Sequence, residues 1–429
     1  MSGLVMVMPY RAYVEKAKEE GYSVYAIWDP EVARGIYGID SPGYLDKLAA
    51  TADGFELADF SDLDGLERAI VANASGPEVQ YVYHLGAEET MLATYRVAAK
   101  LGKAVNPVRS IELLNDKLEM RRLLEREGLS PVRFAEAPSW RAAEPLLKDF
   151  PLPLVLKPTS LSGSRGVYLL RDRSQYRDWG QLLDGYGYDG PVLLEEYLKG
   201  PEFSVETLSC AGRHRVIGVT KKVLGPPPLF VEMGHVHPFE DEQMAAHIGE
   251  TAIALLDAAG YMCGPAHTEV IWGPAGPRIV ESQARLGGDR IPQLVQLSTG
   301  VDMERGIFQC LSGHFPDGPT KRAVARISYF DFSPGVVRSV SGFEAASALD
   351  WAHEVSFHHR VGDVLPPTVD WRSRHGYVVV EAANAQQAAD RVARVESMIS
   401  VVTTPAPLDQ TLPAPGAPVQ PPVASAITS

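Results

Sequence analysis

The chain has 429 residues, of which 45% are hydrophobic and 22% charged, and its formal net charge at pH 7 is −14. This length predicts two or three domains, and the composition is that of a globular protein and not of a disordered one. A membrane-spanning protein is excluded because no apolar run approaches the roughly 20 residues that cross a bilayer. The negative charge argues against a nucleic-acid partner. The short N-terminal apolar run and the three widely spaced cysteines argue against a secretory signal and a disulfide framework, so we expect a cytoplasmic protein.

The N-terminal region, residues 1–113, has the pattern of an open parallel α/β domain. Apolar runs at 4–8 and 23–28 flank a polar helical stretch, and 79–83 predicts a further strand before an alanine-rich helix at 88–101. The turn after the first run lacks the glycines of a dinucleotide fingerprint, which argues against NAD.

Two more domains and a tail follow this region. Residues 114–320 mix helices with strands of varied spacing, and residues 321–402 predict a smaller α+β unit in which strands precede a helix. The final segment, 403–429, is rich in proline, alanine and serine and almost uncharged, so it predicts a disordered tail.

Two lysines and a loop of small residues form the first candidate site. Lys117 begins a helix, whereas Lys157 ends an apolar strand, where a buried ammonium is costly unless an anion meets it. The loop 159–167 follows Lys157 directly, and its small residues let consecutive backbone N–H groups converge on phosphate oxygens. Arg165 would add a charge-assisted bond. Surface lysines and a flexible hairpin turn are the alternatives.

A glutamate-rich segment at 193–206 forms the second candidate site. It predicts two strands that a Gly-Pro turn joins into a hinge between subdomains. Backbone groups at such a hinge can pair with the edge of a flat base, and neighbouring carboxylates can accept from an amino group or ribose hydroxyls. A solvated acidic strand is the alternative.

The most informative pattern is a predicted hairpin around the turn Gly-Pro-Ala-Gly-Pro at 273–277. If the turn is centred on its alanine, Glu269 lies roughly opposite Glu281, which is unfavourable unless a cation lies between them. Period-two alternation places Glu281, Gln283 and Arg285 on one face. These oxygen ligands suit magnesium beside nucleotide phosphates. An accidental acidic pair on a solvated hairpin is the alternative.

In this order the motifs resemble the ATP-grasp superfamily, over essentially residues 1–400. The resemblance implies an ATP-grasp fold of α/β and α+β class, with a parallel N-terminal domain, a two-subdomain nucleotide clamp at 114–320 and a small C-terminal domain. It also implies ATP and Mg²⁺ as cofactors, with two ions expected and Mn²⁺ as an alternative, and a homodimer. The family usually has asparagine where this chain has Gln283. The resemblance assigns phosphate binding to Lys117 and Lys157, a mobile phosphate lid to Ser162, Gly163, Ser164, Arg165 and Gly166, an adenine hinge to Glu195, Glu196, Tyr197 and Leu198, ribose binding to Glu202, and magnesium ligation to Glu269, Glu281 and Gln283.

Within the superfamily the sequence is most similar to the L-amino-acid ligases, which make dipeptides. Glu232 and His235 lie in a stretch that resembles the substrate loop of those enzymes, and residues 322–399 resemble their C-terminal domain. Arg285 matches the arginine that stabilises the acyl phosphate and the attack upon it. An exposed loop histidine is the alternative for His235. Glu88 is a candidate contribution from the N-terminal domain.

The resemblance therefore implies an ATP-dependent carboxylate–amine ligase. Such an enzyme joins amino acids or similar substrates through an acyl phosphate and releases ADP and phosphate. One alternative is a carboxylase or phosphoryl-transfer enzyme of the same fold that acts on a small acid. Another is an ATP-binding protein in which Gln283 has impaired catalysis.

Overall fold

A computed structural model of the protein describes residues 2–34, 42–86, 88–161 and 163–405. The predicted lid residue Ser162 and the predicted tail from residue 406 onward lie outside the described residues. None of the described helices combines the length and the apolar character needed to cross a membrane.

The N-terminal region is a parallel sheet covered by helices, as the sequence predicts. Its elements are β1 (Ser2–Val7), α1 (Arg11–Glu19), β2 (Tyr22–Trp28), α2 (Pro30–Val32), α3 (Pro42–Thr51), β3 (Gly54–Leu57), α4 (Leu63–Ala74), β4 (Val79–His84) and α5 (Glu88–Lys100). The strands lie in the order β3-β2-β1-β4, and all their pairings are parallel. Residues 4–8 are fully buried, so side chains on both faces of β1 are shielded from solvent, which explains their unbroken apolar run.

A small antiparallel sheet forms the next layer. The elements here are α6 (Val108–Asn115), α7 (Lys117–Arg126), β5 (Phe134–Ala137), α8 (Trp140–Ala143), β6 (Leu154–Pro158), β7 (Tyr168–Leu170), α9 (Tyr176–Gly185) and β8 (Val192–Glu196). The sheet has the order β5-β8-β6-β7 and packs against α9 through the buried Trp179. The Asp116 carboxylate accepts from the first N–H groups of α7, which fixes Lys117 at the start of that helix.

A larger antiparallel sheet begins after the predicted hinge. Its first part contains β9 (Glu202–Cys210), β10 (Arg213–Leu224), β11 (Glu232–His237), α10 (Glu242–Ala259), β12 (Gly264–Gly273), β13 (Gly276–Gln283), α11 (Ile291–Thr299) and α12 (Met303–Leu311). β8 and β9 belong to different sheets, so residues 197–201 connect the two sheets of the clamp.

The C-terminal unit is continuous with the larger sheet. It contains β14 (Val324–Tyr329), β15 (Gly335–Ser341), α13 (Phe343–Ser347), β16 (Ala352–Phe357), β17 (Val364–Leu365), β18 (Gly376–Ala382), α14 (Ala385–Met398) and β19 (Ser400–Thr404). β14 pairs with β11, which gives the sheet order β13-β12-β9-β10-β11-β14-β18-β16, while β17, β15 and β19 form a separate sheet. The last strand includes residues 403 and 404, with which the predicted tail began.

Candidate active site

A cavity of about 850 Å³ lies where the N-terminal region, both sheets of the clamp and the C-terminal unit meet. Gly166 belongs to the loop between β6 and β7 but is not part of the cavity wall. The predicted site residues that line the cavity are Lys117, Lys157, Gly163, Ser164, Arg165, Glu195, Glu196, Tyr197, Leu198, Glu202, Glu232, His235, Glu269, Glu281, Gln283 and Arg285.

The β12–β13 hairpin places Glu269 directly opposite Glu281, as the sequence suggests, but for a different reason. Gly273 pairs with Gly276, so the turn is not centred on Ala275, and that part of the prediction is wrong. With this turn and a regular register, Glu269 would face Val280. A β-bulge after Glu269 shifts the register by one residue and brings the two carboxylates together.

Each of these two carboxylates has a lysine as its partner. Glu269 lies 2.8 Å from the ammonium of Lys222, and Glu281 lies 3.2 Å from that of Lys117. Burial alone would raise the pKa of Glu269, but Lys222 and His267 hold it well below its usual range. Burial would lower the pKa of Lys117, yet the carboxylates of Glu281 and Glu88 raise it. Each carboxylate of the acidic pair is thus balanced by its own lysine ammonium.

Gln283 supplies the feature that best fits a metal ion at this position. Its amide nitrogen donates to Glu281 at 2.8 Å, while its amide oxygen is buried and has no hydrogen-bond partner among the described residues. Among these residues no group of three or more His, Cys, Asp or Glu side chains could hold an ion by itself. Magnesium does not need such a group, because it usually binds one or two carboxylates and completes its shell with nucleotide phosphates and water. Two carboxylates and an amide oxygen suit this mode of binding.

Lys157 forms an ion pair with a carboxylate of the protein itself. Its ammonium lies 2.7 Å from Glu195, which also accepts from Arg121 at 2.7 and 3.1 Å. Arg121 donates further to the backbone oxygens of Ile279 and Val280, so this buried cluster joins α7, β6, β8 and β13. Burial lowers the pKa of Lys157 against the attraction of Glu195. The carboxylate of Glu195 is thus engaged within the protein, so a base at the predicted hinge would have to meet the backbone and neighbouring side chains instead.

Sequence reasoning missed Arg121, although it stands four residues after Lys117 on α7. Residues at that spacing lie on the same face of a helix, so the predicted role of Lys117 was a signal for Arg121 as well. Burial alone would raise the pKa of Glu195, but Arg121 and Lys157 lower it to about 2. This stabilisation is present above the ordinary value near 4.5 and is lost as the pH falls towards 2.

Replacing Glu195 by glutamine is expected to destabilise the protein by about 3–5 kcal/mol, because two buried cations lose their shared counter-ion. Denaturant unfolding measures this loss. Glu136→Gln is the matched control in the same sheet, since its ion pair with Arg122 is exposed, and a change within about 0.5 kcal/mol is expected. Equal destabilisation by both substitutions would contradict the assignment.

Lys222 gathers three carboxylates and was also missed. Its buried ammonium lies 2.7 Å from Glu202 and 2.8 Å from both Glu232 and Glu269. Burial would lower the pKa of Lys222, but these carboxylates raise it well above its usual range. The predicted ribose acid, substrate-loop acid and metal ligand therefore converge on one cation. Successive side chains of a strand point to opposite faces, so one of the neighbours Lys221 and Lys222 has to point inward. This pattern in the sequence was a signal for a buried lysine.

Three residues of the loop between β6 and β7, the predicted phosphate loop, have a left-handed backbone. Gly163, Ser164 and Gly166 have φ values of 66°, 60° and 73°. The Ser164 hydroxyl donates to the Phe230 carbonyl at 3.1 Å. A Cβ atom added to Gly163 would lie 2.2 Å from the Trp371 side chain, so glycine is needed for this close approach. Trp371, from the C-terminal unit, was not predicted.

The cavity wall also contains the predicted acyl-transfer arginine. Arg285 donates through Nε to Glu88 at 2.7 Å and through Nη1 to the Leu286 carbonyl at 2.9 Å. Burial would raise the pKa of Glu88, but Arg285 and Lys117 lower it. Glu88 begins α5, so the N-terminal region does contribute to the cavity. His235 also lines the cavity, and its Nε2 lies 3.0 Å from Asp289.

Two family patterns match parts of the chain. Residues 150–293 match an ATP-grasp domain, and residues 328–404 match the L-amino acid ligase C-terminal domain 2. The first match contains the loop, the hinge and the β12–β13 hairpin, and the second contains Trp371.

Comparison with individual proteins gives a consistent result. The chain is 30% identical over 299 residues to the uncharacterized protein y4rH of Sinorhizobium fredii, a match that covers 67% of this chain and 61% of that protein. It is 24% identical over 251 residues to alanine--anticapsin ligase of Bacillus subtilis, covering 52% of this chain and 53% of that protein. The chain thus spans less than two thirds of the length of these relatives.

A solved structure matches nearly the whole fold. The L-amino acid ligase from Bacillus licheniformis superposes with a TM-score of 0.77 at 20% sequence identity, covering 94% of this chain and 99% of that chain. At this identity the likeness shows a shared fold.

Proposed function

The chain is a member of the ATP-grasp superfamily that carries the C-terminal domain of the L-amino acid ligases, and from this premise we propose that it joins a carboxylate to an amine at the expense of ATP. The substrates we propose are amino acids or amino-acid-like compounds, and the products are an amide, ADP and phosphate. The name of the alanine--anticapsin ligase supports an amino acid as one substrate.

One observation carries the proposal: the residues proposed to bind phosphate and the arginine proposed to assist acyl transfer line a single cavity. Lys117 links the two, because its ammonium contacts Glu281 and its pKa also responds to Glu88, the partner of Arg285. An enzyme that only hydrolysed ATP would not need the proposed acyl-transfer arginine. Because both sets of residues line one cavity, a reactive intermediate formed from ATP can react with the amine without meeting bulk water.

In the first half-reaction, a carboxylate oxygen of the acid attacks the terminal phosphorus of ATP, and the bond to the ADP oxygen breaks. Transfer of this kind depends mainly on positioning and charge neutralisation. Lys157, Lys117 and the N–H groups of the loop after β6 would bind the phosphate oxygens. Glu269, Glu281 and the amide oxygen of Gln283 would hold magnesium, which when bound neutralises charge on those oxygens.

In the second half-reaction, the amine attacks the acyl carbon and phosphate departs with the electron pair of the broken carbon–oxygen bond. The tetrahedral intermediate carries an oxyanion, for which the guanidinium of Arg285 is the proposed donor. Glu88 holds that guanidinium through Nε and Nη2, at 2.7 and 2.6 Å. A donor fixed before the reaction costs no reorganisation during it.

An active enzyme is favoured over an impaired ATP-binding protein. The amide oxygen of Gln283 lies buried with no hydrogen-bond partner in the described part of the chain, so the longer side chain still offers a ligand atom beside Glu281. A carboxylase or phosphoryl-transfer enzyme remains the second candidate and would produce no amide. Two bound ions, activity with Mn²⁺, a homodimer and a cytoplasmic location stay predictions. Light scattering of the purified protein tests the dimer.

The proposed function is tested by incubating the protein with ATP, Mg²⁺ and pairs of the common amino acids while phosphate release is measured. Mass spectrometry then identifies any product. We expect phosphate release that needs an acid and an amine, together with one amide per phosphate. Phosphate release without any amide would favour the carboxylase or phosphoryl-transfer alternative.

ATP with Mg²⁺ is expected to protect the phosphate loop from trypsin at Arg165. Backbone N–H groups that bind phosphate hold the loop closed, and closure also keeps water from the acyl phosphate. Cleavage at this bond, followed by mass spectrometry with and without nucleotide, measures the effect. The bond after Arg338, an exposed residue of β15, is the internal reference and should be cut at the same rate in both samples. Unchanged cleavage at Arg165 would count against closure.

A further inference from the structure

Asp289 lies at the N-terminus of α11 in an unusual conformation. Asp289 and Arg290 have φ values of 52° and 61°, which non-glycine residues adopt at a cost. Both Asp289 oxygens are engaged by Arg374, at 2.6 and 2.7 Å, and one of them also contacts Nε2 of His235 at 3.0 Å. The Asp289 carboxylate is therefore held between the guanidinium of Arg374 and the imidazole of His235, and the histidine lines the cavity.

Arg374 comes from the C-terminal unit and is itself fixed on several sides. It donates to the Glu232 carbonyl at 3.0 Å, and its guanidinium lies 3.6 Å from the centre of the Tyr329 ring. Three residues earlier, Trp371 packs against Gly163 of the phosphate loop. One short segment of the C-terminal unit thus contacts the phosphate loop, strand β11 and the turn before α11.

These contacts determine which nitrogen of His235 carries a proton. Burial would raise the pKa of Asp289, but Arg374 and His235 hold it well below its usual range, so the carboxylate is ionised and can only accept. Nε2 of His235 must then be the donor. In the neutral imidazole this leaves Nδ1 with a lone pair, and Nδ1 is buried with no hydrogen-bond partner among the described residues.

We propose that Arg374, acting through Asp289, is a positioning residue that fixes the His235 imidazole as the base of the amine half-reaction. This inference rests on the proposed function. Amino-acid amines are protonated near neutral pH and cannot attack an acyl carbon in that form. Nδ1 of His235 takes one proton from the ammonium, and the resulting amine forms the carbon–nitrogen bond.

The protons and charges of this step balance. An acyl phosphate and an ammonium give an amide, hydrogen phosphate and one proton. The second proton of the attacking nitrogen leaves on the phosphate, and the first passes from His235 to solvent after the product departs. The charged groups that face His235 are Asp289 and Arg374, with Lys222 directly opposite on β10 and Glu232 three residues earlier on β11.

The arrangement also explains why the C-terminal unit is part of the site. Histidine on β11 and aspartate before α11 both come from the clamp, but neither fixes the other without a third group. Arg374 binds the Asp289 carboxylate through two parallel N–H donors, which restricts its rotation as a single bond would not. The segment that carries the arginine also contacts the loop at Gly163.

The test separates the two half-reactions in Asp289→Asn and Arg374→Lys. Hydroxylamine is an uncharged nucleophile at neutral pH and needs no base, so hydroxamate formation from an amino acid, ATP and Mg²⁺ reports the acyl phosphate alone. For Asp289→Asn we expect amide formation with an amino-acid amine to fall about a hundredfold or more, while hydroxamate formation stays within about threefold of the parent. Arg374→Lys keeps the charge but loses the paired donors, so a smaller loss in the same step is expected.

Arg338→Lys is the matched control, because Arg338 is exposed in the same unit and donates to Thr404. It should leave both rates unchanged, and thermal unfolding checks that all variants are folded. Parallel losses of amide and hydroxamate in Asp289→Asn, or no loss of either, would overturn the inference alone. A parent protein that forms no hydroxamate with any of the common amino acids would instead overturn the proposed function.

Discussion

Replacing Glu281 by alanine is expected to lower the rate of ADP release at least about a hundredfold. The substitution removes one of the two carboxylates that face each other across the β12–β13 hairpin and also removes the partner of Lys117 and Gln283. Charge on the transferring phosphoryl group then lacks a large part of its neutralisation. ADP release with saturating ATP, Mg²⁺ and an active pair of amino acids measures the effect.

Glu250→Ala provides the matched control for this experiment. Glu250 is an exposed glutamate on α10, and its removal should leave ADP release unchanged. Circular dichroism of both variants checks that the fold is intact. Near-normal ADP release by folded Glu281→Ala protein would show that this carboxylate does not ligate magnesium.

Replacing Arg285 by alanine is expected to lower amide formation about a hundred- to thousandfold, which corresponds to about 3–4 kcal/mol of lost oxyanion stabilisation. The substitution also leaves Glu88 without its ion-pair partner. Glu88→Gln therefore completes the comparison, because it keeps the guanidinium and removes only the carboxylate charge that orients it. A smaller loss is expected for Glu88→Gln.

Amide formation and hydroxamate formation should both fall in Arg285→Ala, since both pass through a tetrahedral intermediate. This distinguishes Arg285 from Asp289, whose substitution should spare the hydroxamate. Arg338→Ala is the control for loss of a surface arginine. If folded Arg285→Ala forms amide as fast as the parent, the oxyanion role is wrong.

The sequence predicted the parts of this protein that depend on local patterns. The parallel N-terminal sheet followed from apolar runs, and the fold class followed from the order of the motifs. The opposition of Glu269 and Glu281 was also predicted, but the bulge that produces it was not. Nothing in the residues from Glu269 to Glu281 marks where the register shifts, because a bulge depends on packing of the whole pair of strands.

The contacts that complete the site are distant in sequence and were therefore missed. Arg121 and Glu195 lie 74 residues apart, and Asp289 and Arg374 lie 85 apart. A charged residue reveals its partner only when the fold brings the two together. The continuity of β14 with β11 was missed for the same reason, and it is this pairing that brings the C-terminal unit to the cavity.

The transfer of oxygen from acid to phosphate tests the central claim most directly. An amino acid with oxygen-18 in its carboxylate is incubated with the protein, ATP, Mg²⁺ and an amine, and the released phosphate is analysed by mass spectrometry. An acyl phosphate predicts one labelled oxygen in phosphate for each amide formed. Amide formation accompanied by unlabelled phosphate would contradict the account.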